Sequence, residues 1–243
     1  MEQLFVRKMT EGCKNFGISL SIKQLEQFYQ YYELLIDRNK VMNLTAITEL
    51  EDVIFKHFID SLSLVKVRDN LINSKISLID VGSGAGFPGI PLKIVFPNIS
   101  VLLLDSLNKR VVFLNDVIKN LDLSGIKAVH GRAEEFGQNQ EYREKFDLCV
   151  SRAVANISTL AEYCIPLIKV GAIFVAYKSE KIEDELNKGK NAINILGSKV
   201  ELIEKFILPG TEAERDLVVI RKIKSTQKKY PRKSGLPGKE PIV

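Results

Sequence analysis

The densest chemistry in the chain lies in residues 80–87, Asp-Val-Gly-Ser-Gly-Ala-Gly-Phe. Glycines at Gly82, Gly84 and Gly86 let a backbone turn sharply and approach a ligand closely. The dinucleotide fingerprint is G-x-G-x-x-G. Here the spacing is G-x-G-x-G, with Phe87 in the sixth place. Asp80, two residues before the first glycine, would repel a pyrophosphate but suits a ligand carrying an ammonium and a sulfonium. Asp105 lies 23 residues after Gly82, where an acid at the end of a second strand accepts from ribose hydroxyls. Further along come Ala133-Glu134, whose carboxylate can accept from an adenine amino group. Arg152 and Lys178 can face a substrate or the ligand's own carboxylate.

These residues need a scaffold that gathers them, and the apolar pattern supplies one. Ile76–Ile79 reads as a short buried strand, and Pro88 and Pro91 suit the first turn of a helix. Strands are expected at 99–104, 126–130, 146–150 and 172–177, separated by helical stretches such as 106–121 and 179–196. Two further strands, 199–208 and 216–223, form an antiparallel pair around Pro209-Gly210. The fold class is therefore α/β: a Rossmann-like, mostly parallel seven-stranded sheet with an N-terminal helical extension. Ligands of such sheets sit outside the carboxyl ends of the strands, which collects Gly82, Phe87, Asp105, Ala133, Glu134, Arg152 and Lys178 on one rim. The glycine pattern resembles motif I of the S-adenosylmethionine (SAM) methyltransferases.

Residues 1–70 form the helical extension. Ser21 is placed to cap a helix whose apolar stripe is Leu25, Phe28, Tyr32, Leu35 and Ile36, widened by Tyr29 and Tyr31. A second helix over 49–67 contains His57, Asp60 and Ser61. No nucleophile elbow surrounds Ser61, so a structural or substrate-positioning role is expected rather than a hydrolase triad. Residues 71–223 form the SAM-binding domain and 224–243 a basic tail. The tail's Pro and Gly residues argue against regular structure.

The chain has 243 residues and a net charge of +5. From Arg221 to Val243 eight basic residues face a single acid, a net +7, so the remainder carries −2. Such asymmetry suits a polyanionic partner met by the tail. Removing 224–243 is then expected to flatten the salt dependence of binding to that polyanion and to leave SAM affinity largely intact. No apolar run suggests a membrane span, and no signal-peptide core is present. Cys13, Cys149 and Cys164 are scattered and odd in number, which suggests reduced thiols and a cytoplasmic location. With only His57 and His130, a histidine-based metal site is not expected.

Across nearly its whole length the sequence resembles the RsmG (GidB) family of bacterial 16S rRNA guanine-N7 methyltransferases. The resemblance is carried by Asn43-Leu44-Thr45, by residues 57–62 (HFIDSL) and by residues 80–92 (DVGSGAGFPGIPL). Leu104-Asp105-Ser106, Lys109-Arg110, Arg132-Ala133-Glu134-Glu135, Ser151-Arg152-Ala153 and Pro231-Arg232-Lys233 with Gly235 and Pro237 complete it. It implies SAM as cofactor, held at Gly82, Phe87, Ala133-Glu134 and Arg152, with Gly84 in the same loop. It also implies the small ribosomal subunit as partner, with methylation at guanine 527 of 16S rRNA, in the 530 loop. Lys178, Arg232 and Lys233 are expected on the RNA.

The residues agree with such a reaction. Amino methylation generally uses an (Asp/Asn)-Pro-Pro-aromatic motif after the fourth strand, where this chain has Ser151-Arg152-Ala153-Val154. Pyrimidine C5 methylation needs a cysteine nucleophile, and Cys149 lies within a strand. Guanine N7 carries a lone pair and needs positioning but no general base; Phe87 or Tyr177 are candidate stacking surfaces for the base. An NAD-dependent oxidoreductase and a non-catalytic RNA-binding module are the alternatives.

Overall fold

A computed structural model of the protein describes residues 1–152, 155–179 and 182–242. Ala153-Val154 of the fourth strand's exit and Glu180-Lys181 of the expected 179–196 helix lie outside the described residues.

Seven strands form one sheet: β1 (Ser77–Val81), β2 (Ser100–Asp105), β3 (Ile126–His130), β4 (Phe146–Ser151), β5 (Ile168–Lys178), β6 (Ser198–Ile207) and β7 (Glu214–Lys222). Their order is β3-β2-β1-β4-β5-β7-β6. The first five run parallel, and β7 is antiparallel to both neighbours. β6 and β7 pair antiparallel as their sequence suggests, but β7 also inserts between β5 and β6. β1 pairs with β2 on one side and β4 on the other, at Asp80↔Leu103 and Asp80↔Val150. The order reverses there, which opens a crevice at the carboxyl ends.

Alternate side chains of each central strand enter different cores, so both faces of the sheet are covered. Leu78, Leu103, Leu148 and Val175 join the N-terminal helices, together with α5 (Gly89–Val95) and α6 (Asn108–Asn120). Ile79, Leu102, Cys149 and Phe174 join the opposite layer. That layer contains α7 (Ala133–Gln138), α8 (Ile157–Cys164) and α9 (Ile182–Ile195).

In the N-terminal layer, α1 (Gln3–Lys14) is followed by α2 (Ile22–Met42). Ser21 caps α2 in a reciprocal box: its hydroxyl accepts from the Gln24 amide, and Gln24 Oε1 accepts from the Ser21 amide. Leu25, Phe28, Tyr31 and Leu35 are buried and Tyr32 and Ile36 pack half-buried against them, so this stripe is core. Gln24 and Gln27 donate across to the carbonyls of Ile94 and Leu121.

The expected 49–67 helix is not uniform. It runs from α3 (Leu50–Val53) through a π-helical turn (Ile54–Ile59) into α4 (Asp60–Leu62) and a 3-10 turn (Ser63–Lys66). Among the described residues no helix is long and apolar enough to cross a membrane. Past β7 the chain folds back across α7 and α8 and ends in the short α10 (Leu236–Lys239).

Candidate cofactor and substrate site

The glycine loop leaves β1 with positive φ at Gly82, Gly84 and Gly86 (75°, 60° and 105°), conformations costly for any residue bearing a Cβ. At Gly86 a Cβ would also lie 2.5 Å from the Tyr31 hydroxyl, which donates to the Ala85 carbonyl. The N-terminal helical layer thus clamps the loop.

Two strand-end acids hold its shape. Asp105 Oδ2 accepts from the Gly84 amide at 2.8 Å and Oδ1 from the Leu107 amide at 2.9 Å. Each oxygen has a further lone pair, so ribose hydroxyls can still be accepted. Asp80 Oδ2 accepts from the Gly89 amide at 2.9 Å, whereas its buried Oδ1 has no hydrogen-bond partner among the described residues. Burial pushes the Asp80 carboxyl up to about 7, against the opposing pull of the Gly89 amide.

Two cavities meet at Gly82 and Ser106. One is a narrow slot of about 140 Å³ between Val81, Leu104, Ala133, Leu160 and Tyr163, with Glu134 in its wall. Its apolar sides and carboxylate suit a purine ring with an amino edge. The other, about 720 Å³, is lined by Thr45, His57, Asp60, Gly84, Phe87, Asp105, Arg152, Lys178 and Arg215, among others. The slot and the adjoining chamber fit a molecule of SAM's composition beside a second reactant, with Asp80 buried beneath the glycine loop and lining neither.

Arg152 links the sheet to the helical layer. Its guanidinium donates to Asp60 Oδ2 at 2.8 Å and the Lys56 carbonyl at 3.1 Å, and lies 4.9 Å from the Phe87 ring centroid. It also meets His57 Nδ1 at 3.1 Å. A guanidinium only donates, so Nδ1 accepts and the imidazole proton sits on Nε2, which donates to Thr45 Oγ1 at 2.8 Å. Burial and the Arg152 charge push the His57 pKa down to about 3, and the ring is neutral. Ser61 donates to the His57 carbonyl, so His57, Asp60 and Ser61 form no triad.

Phe87 is 5% exposed, stacked by His57 (centroids 4.5 Å apart) and Tyr31 (5.4 Å). Tyr177 is 4% exposed and donates to the Ser61 carbonyl. Neither ring has an open face, so a base must stack elsewhere than the sequence suggests. The structure brings Gly82, Gly84, Phe87, Asp105, Arg152 and Lys178 around the chamber and Ala133 and Glu134 around the slot.

The residues expected on RNA are arranged differently. Lys178 Nζ donates to the Ala155 carbonyl and to Glu185, both at 2.7 Å. Arg232 is held by buried Glu162 through both carboxylate oxygens, and Lys233 is exposed. Arg215 and Thr45 were given no site role by the sequence, whereas Asp60 lies in the His57–Ser61 segment expected to be structural or substrate-positioning. Asp60 also accepts from Arg215 Nε at 2.9 Å, a partner 155 residues away. The Thr45 hydroxyl had a local signal in the Asn-Leu-Thr break after α2, and Arg215 had none.

The GidB family model, described as rRNA small subunit methyltransferase G, matches residues 24–222. The Ribosomal RNA small subunit methyltransferase G of Lachnoclostridium phytofermentans is 53% identical over 233 residues, 96% of each chain. That of Acetivibrio thermocellus is 49% identical over 243 residues, 100% of this chain and 99% of its own. Among solved structures, a mutant of MtNAS in complex with S-adenosylmethionine superposes with a TM-score of 0.54 at 15% identity, over 83% of this chain and 72% of that one. TrmN from Thermus thermophilus gives 0.52 at 13% identity, over 68% and 48%. At these identities the two structures speak for the fold alone. Near-full-length identity of about half, together with a family model spanning the glycine loop and every strand, gives one conclusion: the chain belongs to the GidB family, rRNA small subunit methyltransferase G.

Proposed function

We propose that the protein methylates N7 of guanine 527 in the 530 loop of 16S rRNA, on the small ribosomal subunit. Family membership sets aside the oxidoreductase and the non-catalytic RNA-binding module. Bound in the slot and chamber, SAM supplies a methyl group made electrophilic by its sulfonium. The residues proposed to hold it are Gly82, Gly84, Phe87, Asp105, Ala133, Glu134 and Arg152, with Asp80 beneath the loop as counter-charge.

The observation that carries the N7 reading is the state of the groups that would serve as base or nucleophile. His57 is neutral, with both ring nitrogens engaged by Arg152 and Thr45. Cys149 is buried in β4, and burial pushes its thiol well above its ordinary value. Guanine N7 needs neither group, because its lone pair attacks the methyl carbon directly as the carbon–sulfur bond breaks. Positive charge then moves onto the purine. The chain's part is to orient, and Thr45 has a hydroxyl proton to offer. Its oxygen already faces two donors, His57 Nε2–H and the Ile47 amide, so the proton is free for an acceptor such as guanine O6.

The experiment uses small subunits lacking the modification, incubated with enzyme and SAM. N7-methylguanine is cleavable by borohydride followed by aniline, and primer extension should stop at the loop guanine. Cys149→Ala should retain turnover. Methyl incorporation without that stop would refute the N7 assignment.

A further inference from the structure

We propose that the C-terminal strap, residues 226–240, is a working part of the cofactor site, because its Gly235 amide fixes the Glu134 carboxylate in the wall of the adenine slot. The inference rests on reading Glu134 as the group that meets the cofactor's adenine. It reverses the expectation that the basic tail is separable from SAM binding. The family model ends at residue 222, before the strap begins.

Glu134 stands in the first turn of α7, a helix of six residues. A glutamate there has three rotatable bonds and, unheld, spreads over several rotamers. In the fold it is 4% exposed, and Oε1 accepts from the Gly235 amide at 2.7 Å, across 101 residues of sequence. It lines the adenine slot on one side and the cleft under the strap on the other. Its position at the slot is therefore set by a backbone donor that only the strap supplies.

The strap is itself firmly moored. Arg232 donates to both oxygens of Glu162, its own amide adds a third contact, and Glu162 is fully buried. Thr159 Oγ1 donates to the Pro237 carbonyl at 3.0 Å. Gln138 donates to the Pro231 carbonyl at 2.7 Å, and Arg143 reaches the carbonyls of Tyr230 and Thr226. At Gly137, a Cβ would lie 2.7 Å from Pro231 Cγ, so α7 and the strap are in direct contact. These moorings come from α7, α8 and the segment between α7 and β4, the elements behind the slot. Strap and slot wall are one unit.

The test is a cycle on SAM affinity, read by calorimetry. One arm is a chain ending at Tyr230 that carries Glu162→Gln, so that the partner of Arg232 is not left as a bare carboxylate and Glu134 is the buried carboxylate released; the other is Glu134→Ala. Circular dichroism and thermal melting establish that each variant is folded. Loss of a hydrogen bond to a charged group corresponds to about a tenfold weakening, so each arm alone should weaken SAM binding about tenfold. If the strap acts through Glu134, the combined variant should also be about tenfold weaker. A merely structural role predicts losses that multiply to about a hundredfold. Wild-type affinity in the folded strapless chain, or multiplied losses, would overturn the proposal. Wild-type affinity in Glu134→Ala alone would instead overturn the assignment of Glu134 to the adenine. Should the shortened chain fail to fold, Arg232→Leu with Glu162→Gln in the full chain releases the mooring alone and goes through the same cycle.

Discussion

Asp60→Asn tests the ionic frame of the chamber. Asp60 is buried, with Oδ2 2.8 Å from Arg152 Nη1 and Oδ1 2.9 Å from Arg215 Nε. Asparagine keeps one acceptor and turns an amide group toward the other guanidinium, so one charged donor loses its partner. Arg152 retains the Lys56 carbonyl and His57 Nδ1, whereas among the described residues Arg215 retains only the carbonyl of its neighbour Glu214. The loss therefore falls on Arg215. A hydrogen bond to a charged group contributes about 1.5–3 kcal/mol, and breaking a buried pair costs about 3–5 kcal/mol. The arginine side chains are 18% and 19% exposed, so water recovers part of this. We expect a loss of about 3 kcal/mol, which for a chain of this size lowers Tm by about 6–12 °C. Urea denaturation and calorimetry on Asp60→Asn, Arg215→Met and the double variant provide the assay. In the Arg215→Met background no guanidinium is stranded, and Asp60→Asn should cost only about 1 kcal/mol. A single-variant loss below that figure, or equal losses in both backgrounds, would show that the two arginines do not depend on Asp60.

Asp80 predicts a pH dependence. The unfolded chain releases this proton near 3.8 and the folded chain near 7, so Asp80 stabilises the cofactor-free protein at low pH and that contribution is lost as pH rises between the two values. A cationic cofactor favours the carboxylate, so SAM affinity should rise with pH through about 7 with proton release. Calorimetry in buffers of different ionisation enthalpy measures it, and Asp80→Asn should abolish the release; a pH-independent affinity from 6 to 8 in the native protein would count against the assignment. Asp105→Ala removes the acceptor for the Gly84 and Leu107 amides as well as any ribose contact, so SAM binding should weaken at least tenfold. Unchanged affinity in a folded variant would mean the loop holds its shape without this acid.

The features legible in the sequence are those written within a few neighbouring residues. The glycine loop, the acids at strand ends and the Ser21 cap each depend on local geometry, and the period of apolar residues was enough to place all seven strands. What stayed hidden depends on partners far apart in the chain. Asp60 joins Arg152 and Arg215 across 92 and 155 residues; Arg152 is marked by its place at a strand end, but nothing local marks Arg215 or pairs either arginine with Asp60. Charge alone marks 221–243 as a polyanion-binding tail, yet Arg232 is committed to Glu162, while Lys233 remains open to solvent. The π-helical turn was illegible because its apolar spacing is close to that of an ordinary helix. Phe87 lines the chamber, but the sequence could not show His57 and Tyr31 covering its ring.

The position of β7 bears on how the protein is made. It is the last strand to leave the ribosome, yet it lies inside the sheet, between β5 and β6. Domains generally begin folding from the N-terminal side during synthesis. Until residues 214–222 emerge, β5 therefore presents an unpaired edge, and β6 has no strand to pair with. Bare edges of this kind pair readily with other chains. A nascent chain paused before Glu214 is thus in its most association-prone state with most of its parallel sheet already available. Sedimentation of chains truncated just before and just after β7 would measure that exposure, and equal solubility of the two would show that the late strand is not what closes the sheet.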